Sequence, residues 1–153
     1  MTNAIRNLDA LSRAIRASFS RLRALGDALH ADLGITASMR AVMESLAERG
    51  AQTVPQIARA KGVSRQHIQV NVDALIEAGL VAVNSNPEHK RSSLLDLSKA
   101  GRRAFDKMRR REAEILRDLV RRVPRADVAI ALRTLQVFNA ALVSATPKGT
   151  DHA

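Results

Sequence analysis

The stretch "VSRQHIQVNVDALIEAGL", residues 63–80, has the pattern of one amphipathic helix with marked ends. Ser64 stands where a helix N-cap is expected, and Gly79 follows Ala78 where a helix would end. At about 100° per residue, one stripe of this helix is apolar, which predicts a buried face. The stripe consists of Ile68, Val72, Leu75 and Ile76.

The opposite face of this helix lacks the Lys and Glu side chains that solvated faces usually carry. It presents Gln66, Gln69, Val70 and Asp73, with His67 at its edge. Glutamine can pair with adenine, and a small apolar side chain can contact the methyl group of thymine. The pattern therefore favours a surface that contacts the edges of bases, with an ordinary solvated face as the other interpretation.

The residues before this helix predict a helix-turn-helix. Residues 53–56, "TVPQ", match a capping box and open a short helix, and residues 61–63 form a Gly-containing turn into the next helix. An earlier helix is capped by Thr36 or Ser38 and ends before Gly50. Three short helices in this order provide the helical part of a DNA-binding lobe.

The residues after this helix predict a β-hairpin. The segments "LVAVNS" and "SSLLDL" have strand character, and the polar segment "NPEHKR" between them predicts a turn. A hairpin this short needs to pack against the helices, where it would form a wing. The predicted fold is mainly α with a small β-hairpin wing, that is, a winged helix-turn-helix.

Long helices with apolar stripes are predicted on both sides of this lobe. One extends from Ile5 to about Leu29, another begins at Ser98, and a last one follows Pro124 from about residue 127 to 143. Because the small lobe cannot cover their stripes, we expect a second copy of the chain to do so in a two-fold dimer. The predicted division is an N-terminal dimerisation helix (1–33), the winged helix-turn-helix (34–98), C-terminal dimerisation helices (99–146) and a disordered tail (147–153).

Composition narrows the class of partner. The net charge is +10, and residues 98–153 supply most of it with thirteen basic and six acidic side chains. A chain this basic favours a polyanion, with nucleic acid first and an anionic membrane surface second. Aromatic residues make up only 2%, which argues against stacking platforms for single-stranded nucleic acid. No apolar run approaches ~18 residues, so we expect no membrane-spanning helix and a cytoplasmic protein.

No pattern of catalytic or metal-binding residues is evident. The chain has no cysteine, which excludes disulfides and thiolate metal sites, and none of the four histidines has metal-ligand spacing to another. No nucleophile elbow or Gly-rich phosphate loop is present. We therefore predict no enzyme, no cofactor and no metal, and we expect Arg102 and Arg103, just after the wing, to lie near phosphates.

Three motifs in this order resemble the multiple antibiotic resistance regulator (MarR) family of winged-helix transcription factors. They are "VSRQHIQ" at residues 63–69, "LIEAGLV" at residues 75–81 and "NPEHKRSSLLDLSKAG" at residues 86–101. The resemblance implies that residues 64–71 enter the major groove and that the wing carries basic contacts. The DNA-binding residues it implies are Ser64, Arg65, Gln66, His67, Gln69, Val70, Asn71, His89, Lys90 and Arg91.

The resemblance implies a homodimeric transcription regulator that binds a palindromic operator on double-stranded DNA, more often a repressor than an activator. A small aromatic or acidic ligand between the dimer arms and the DNA-binding lobes would release the DNA. The alternative from another class is a helical protein–protein interaction module whose winged helix binds a protein partner.

Overall fold

The computed structural model describes residues 2–87 and 92–145. Six helices and one two-stranded sheet follow in the described part of the chain. They are α1 (Asn3–Leu29), a short 3₁₀ turn (Ala31–Leu33), α2 (Ala37–Arg49), α3 (Val54–Lys61), α4 (Arg65–Glu77), β1 (Val81–Asn84), β2 (Leu94–Leu97), α5 (Lys99–Val120) and α6 (Arg125–Ala145). The predicted fold class, mainly α with a β-hairpin wing, is confirmed.

Local capping sets where the short helices begin. The Thr36 hydroxyl accepts a backbone N–H at the start of α2, and the Ser64 hydroxyl does the same for α4. At α3, Thr53 and Gln56 satisfy each other's backbone N–H groups, so the predicted capping box is confirmed. Each cap depends on residues within four positions of one another, which is why the sequence alone locates it.

The hydrophobic core lies where α2, α3 and α4 meet the hairpin and the first half of α5. Buried side chains from α2 and α4 occupy its centre, and Phe105 and Met108 close it from α5. The core residues are Ile35, Met39, Val42, Met43, Leu46, Ile57, Ala58, Ile68, Val72, Leu75, Val81, Leu95, Leu97, Phe105 and Met108.

One residue of the predicted buried stripe lies outside the core. Ile76 is 37% exposed, whereas Ile68, Val72 and Leu75 are buried. At 100° per residue Ile76 lies roughly 70° from the centre of the stripe formed by the other three, so it meets solvent at the edge of α4. The prediction that Ile76 is buried is therefore wrong.

The hairpin is antiparallel, with Val81 opposite Leu97 and Asn84 opposite Leu94. Gln52, just before α3, extends it by one residue, because it exchanges backbone hydrogen bonds with Leu95 at 3.0 and 2.8 Å. This contact joins the wing to the helix-turn-helix.

The buried side chain of Gln52 completes this joint. Its Nε2 donates to the backbone carbonyl of Ser45 at 2.8 Å, and the Ser45 hydroxyl donates back to Gln52 Oε1 at 3.2 Å. Both residues are buried, so these bonds satisfy polar groups that water cannot reach. The end of α2 and the wing are therefore held together by a small satisfied polar cluster.

The chain divides into two compact units, Met1–Met108 and Arg109–Ala153. In the first unit α1 has no buried residue, and its apolar side chains Phe19 and Leu22 are 65% and 64% exposed. In the second unit, Leu116 and Leu119 of α5 are exposed, and α6 has no buried residue. Within each unit, the apolar stripes of these helices are left largely uncovered.

Helix α6 is long and apolar enough, by length and composition alone, to cross a membrane. This differs from the expectation of no membrane-spanning helix, which rested on the absence of an unbroken apolar run of ~18 residues. The mean hydropathy of this helix is high, at 1.5, although it contains no unbroken apolar run of that length. No residue of this helix is buried in the described part of the chain.

Candidate nucleic-acid interface

Helix α4 is anchored by one face and presents the other to solvent. Ile68, Val72 and Leu75 fix it in the core, while Gln66, Gln69 and the other outward side chains are exposed. Val70 is 64% exposed, which is high for an apolar side chain at the middle of a short helix. The structure therefore places on one solvent-facing surface the residues that the sequence put opposite the buried stripe.

The N-terminus of α4 is electropositive. Arg65 is its first residue, is exposed, and makes no ion pair with the described residues. The Ser64 hydroxyl is used inside the helix, where it accepts the His67 N–H at 3.1 Å. The helix dipole and the Arg65 guanidinium together make this end suited to an anionic group such as a phosphate.

The three side-chain amides of α4 differ in their hydrogen bonds. The Gln66 amide makes no hydrogen bond with the described residues, whereas Gln69 Nε2 donates to Asp73 Oδ1 at 2.7 Å. Asn71 is half-buried, and its Nδ2 donates to the backbone carbonyl of His67 at 2.7 Å. The NH₂ group of Asn71 is thus engaged by its own helix, which the sequence pattern did not indicate.

The loop between the two strands is only partly described. The predicted wing residues His89, Lys90 and Arg91 lie outside the described residues. At the base of the loop, Asn86 Nδ2 donates to the carbonyl of Ser92 at 2.9 Å. This bond joins the two chain segments that enter and leave the predicted wing tip.

Arg102 is held by an acidic side chain of the wing. Its guanidinium donates to both carboxylate oxygens of Asp96 on β2, each at 2.9 Å, and its side chain remains 55% exposed. This two-bond pair ties β2 to the start of α5 and neutralises part of the charge that was expected near phosphates. Arg103 beside it is exposed and makes no ion pair with the described residues.

Glu44 connects the two helices that support α4. Its carboxylate accepts from Lys61 on α3 at 3.1 Å and from Arg40 on its own helix at 3.2 Å. Partial burial raises the pKa of Glu44, but the hydrogen bonds and charges of Lys61 and Arg40 outweigh it and hold the pKa below its usual value. The charged network therefore persists at neutral pH.

A cavity of about 460 Å³ opens beside α4, between α3 and the hairpin. Exposed Ile76 and Val83 supply apolar walls, and the polar residues Arg65, Gln66 and Gln69 reach its rim from the candidate interface. Sequence reasoning missed this cavity, since its walls form only when α3, α4 and the hairpin pack together. Its lining residues are Val54, Pro55, Arg65, Gln66, Gln69, Val72, Ile76, Val83, Ser92, Ser93 and Leu95. Among the described residues, no group of three or more His, Asp or Glu could hold a metal ion.

Comparison with known proteins places this lobe in a family. Residues 33–92 match the family model described as MarR family. This segment is a MarR-family winged helix. The match covers the helix-turn-helix and the first part of the wing, so the resemblance stated from the motifs is confirmed.

The chain is also similar to a curated protein. An uncharacterized protein of Mycobacterium tuberculosis is 38% identical over 84 residues, which cover 55% of this chain and 58% of that protein. The chain thus spans little more than half the length of the curated relative it matches.

Solved structures extend the likeness beyond the MarR-family segment. A MarR family transcription regulator has a TM-score of 0.79 at 24% identity, covering 95% of this chain and all of that one. A mutant MarR from E. coli complexed with operator DNA has a TM-score of 0.78 at 20% identity, covering 90% and 99%. BpsR from Bordetella bronchiseptica has a TM-score of 0.75 at 19% identity, covering 85% and 98%. At these identities the likeness shows the fold.

Proposed function

We propose that the chain is a cytoplasmic transcription regulator that binds double-stranded DNA with α4 in the major groove. The observation that carries this is the outward face of α4, where Gln66, Gln69 and Val70 are exposed on a helix fixed by the core behind it. Side-chain amides and a small apolar group match the hydrogen-bonding and methyl groups of base edges. The similar structure of the E. coli MarR mutant holds operator DNA, which supports this assignment of the lobe.

Phosphate contacts in this proposal come from the N-terminus of α4 and from the wing. Arg65 and the helix dipole approach one phosphate, and Lys90 and Arg91, together with His89, act from the wing by the family resemblance. Ser64 caps the helix, and His67 and Asn71 lie at the edges of the surface that faces the groove. Contacts to phosphates set affinity and its dependence on salt, while contacts to bases set sequence preference.

The proposed functional form is a homodimer on a palindromic operator. The uncovered apolar faces of α1 and α6 support it, because a second copy would remove them from water. Two lobes related by a two-fold axis would contact two half-sites, which multiplies the contacts made by one lobe.

Release by a small molecule completes the proposal. The cavity beside α4 supports it, since a ligand seated there would contact Arg65, Gln66 and Gln69 and so compete with DNA. A small aromatic or acidic molecule fits apolar walls with an arginine at the rim. The DNA binding of the similar BpsR is regulated by 6-hydroxynicotinic acid, a molecule of this class. The family resemblance predicts a second location for such a ligand, the cleft between the dimer arms and the DNA-binding lobes.

The test is DNA binding by the full-length chain over a salt series. Duplexes selected from a random library are compared with shuffled duplexes, and the wild type should prefer the selected sequences. Affinity should fall steeply, by about 10³-fold or more, between about 50 and 200 mM salt if six or more phosphates are contacted. Arg65→Ala should reduce this slope, while Arg125→Ala, which removes the same charge from α6 outside the MarR-family segment, serves as the control.

One result of this test would refute the proposed function. Weak binding with no preference for selected sequences would favour the alternative, a helical module whose winged helix binds a protein. Repression, as opposed to activation, is tested separately with a reporter placed behind the selected operator, where deletion of the chain should raise expression.

A further inference from the structure

Gln69 and Asp73 form one hydrogen-bonded unit on the outward face of α4. They lie four residues apart, one helical turn, and both are exposed. The Gln69 Nε2 to Asp73 Oδ1 distance is 2.7 Å, which is short for a hydrogen bond from an amide. The pair therefore has a defined orientation before any partner arrives.

The chemistry of the carboxylate fixes which end of the Gln69 amide is turned towards it. A carboxylate only accepts hydrogen bonds, so it holds the NH₂ group of Gln69 and leaves the carbonyl oxygen Oε1 at the other end. The pair then offers outward two acceptors, Oε1 of Gln69 and the second carboxylate oxygen of Asp73, beside the one remaining N–H of the Gln69 amide. A glutamine without such a neighbour can rotate its amide and offer either a donor or an acceptor.

The other two amides of α4 have no acidic partner among the described residues. Gln66 has no partner among the described residues that would fix its orientation, and Asn71 has its NH₂ group engaged by the His67 carbonyl. Of the outward amides in the described part of α4, Gln69 is the one whose orientation an acidic side chain imposes.

We propose that Gln69 and Asp73 together select amino bases, adenine or cytosine, on one strand of each half-site and reject the keto bases guanine and thymine. In the major groove adenine and cytosine present an amino donor, whereas guanine and thymine present oxygen acceptors at the corresponding place. Acceptors on the protein match the amino group and repel the keto oxygen. The proposal rests on the proposed DNA-binding function of α4 and adds to it the specificity of one position.

Asp73 is a specificity residue that lowers affinity. Its negative charge lies close to the phosphate backbone when α4 is in the groove, so it opposes binding to every sequence, while it improves discrimination by rejecting keto bases. This combination gives a signature that a purely structural residue lacks. Removing the charge should raise affinity for all duplexes and at the same time weaken the preference at one position.

The experiment measures binding of the full-length chain to a panel in which each position of the selected half-site is replaced by all four base pairs. For the wild type, one position should accept adenine or cytosine and disfavour guanine or thymine by roughly ten-fold or more. Asp73→Asn keeps the size of the side chain but no longer fixes the amide, so this preference should fall to within about three-fold. Gln69→Ala should lose the preference at the same position.

Glu77→Gln is the matched control. Glu77 is exposed one turn further along α4, so this variant removes the same charge from the same helix without touching the pair. Affinity should rise for all duplexes while the preference at the amino-base position remains. Thermal unfolding of each variant, expected at the wild-type temperature for these exposed sites, shows that the changes are not caused by loss of folding.

The outcomes separate this inference from the function on which it rests. A wild type with no sequence preference refutes the proposed function. A wild type that prefers its selected sequence while Asp73→Asn retains every base preference overturns the inference and leaves the function intact. A folded Asp73→Asn variant that loses binding to all sequences also overturns it, since Asp73 would then support binding and not oppose it.

Discussion

Gly101 should not tolerate a larger residue, because the backbone of Leu80 occupies the space that a Cβ atom would need. A Cβ atom at Gly101 would lie 1.9 Å from the carbonyl oxygen and 2.9 Å from the carbonyl carbon of Leu80. Gly101 belongs to the first turn of α5, and Leu80 lies between α4 and β1. Gly101→Ala must therefore push the start of α5 away from the lobe by more than an ångström, on the order of the gap to normal contact.

The hydrogen bonds that this shift would break allow a magnitude to be worked out. The Ser98 N–H donates to the Leu80 carbonyl at 3.0 Å, and the Ser98 hydroxyl donates to the Gly79 carbonyl at 2.7 Å. Two hydrogen bonds at about 1 kcal/mol each, with about 1–3 kcal/mol for overpacking, give a loss of roughly 3–5 kcal/mol in the free energy of unfolding. The melting temperature should fall by on the order of 10 °C.

The assay is thermal and urea unfolding of the full-length chain, with all variants at one protein concentration because association shifts apparent stability. Gly26→Ala is the control, since a Cβ there would meet Ala37 Cβ at an ordinary 3.9 Å. Gly26 lies inside α1, where alanine should stabilise by about 0.5–1 kcal/mol. The same substitution should thus act in opposite directions at the two sites. A Gly101→Ala chain that unfolds at or above the wild-type temperature would refute the reasoning.

Four further predictions concern the supports and the surface of the lobe. Glu44→Gln should lower the free energy of unfolding by about 1 kcal/mol at neutral pH. Because the pKa of Glu44 is depressed in the folded state, the difference in stability from wild type should shrink as acid protonates the glutamate. A difference that is independent of pH in urea titrations would contradict this. Gln52→Leu should lower the free energy of unfolding by about 1–3 kcal/mol, since it removes the acceptor of the buried Ser45 hydroxyl and a donor to the Ser45 carbonyl. Chemical denaturation measures this loss. Gln66→Ala should weaken the free energy of binding by about 1–3 kcal/mol on the selected operator and little on shuffled DNA, as measured by fluorescence anisotropy. Equal losses on both duplexes would mean that Gln66 contacts a phosphate or does not contact DNA. Leu119→Asp should give a monomer by light scattering and should abolish operator binding, although Leu119 lies outside the DNA-binding lobe. A monomeric variant that still binds a full palindrome tightly would refute the proposed homodimer.

Several features could be predicted from the sequence because they depend on residues close together in the chain. The capping box of Thr53 and Gln56 and the cap at Ser64 each involve residues three positions apart. The two faces of α4 follow from the helical period, and they predicted the exposed set that includes Gln66 and Val70. The Gln69–Asp73 pair has the same local origin, at a spacing of one turn, although its effect on the amide appears only once the hydrogen bond is seen.

The sequence by itself therefore determined the order of the helices, their ends and the face that α4 presents to solvent. Only the tertiary structure decided which distant segments meet: Gln52 with Leu95, and Gly101 with Leu80. It also decided that Ile76 lines a cavity and is not part of the core. The physical reason is that capping and helical periodicity are set within about four residues, whereas these contacts depend on how the helices and the hairpin pack, which no local pattern encodes.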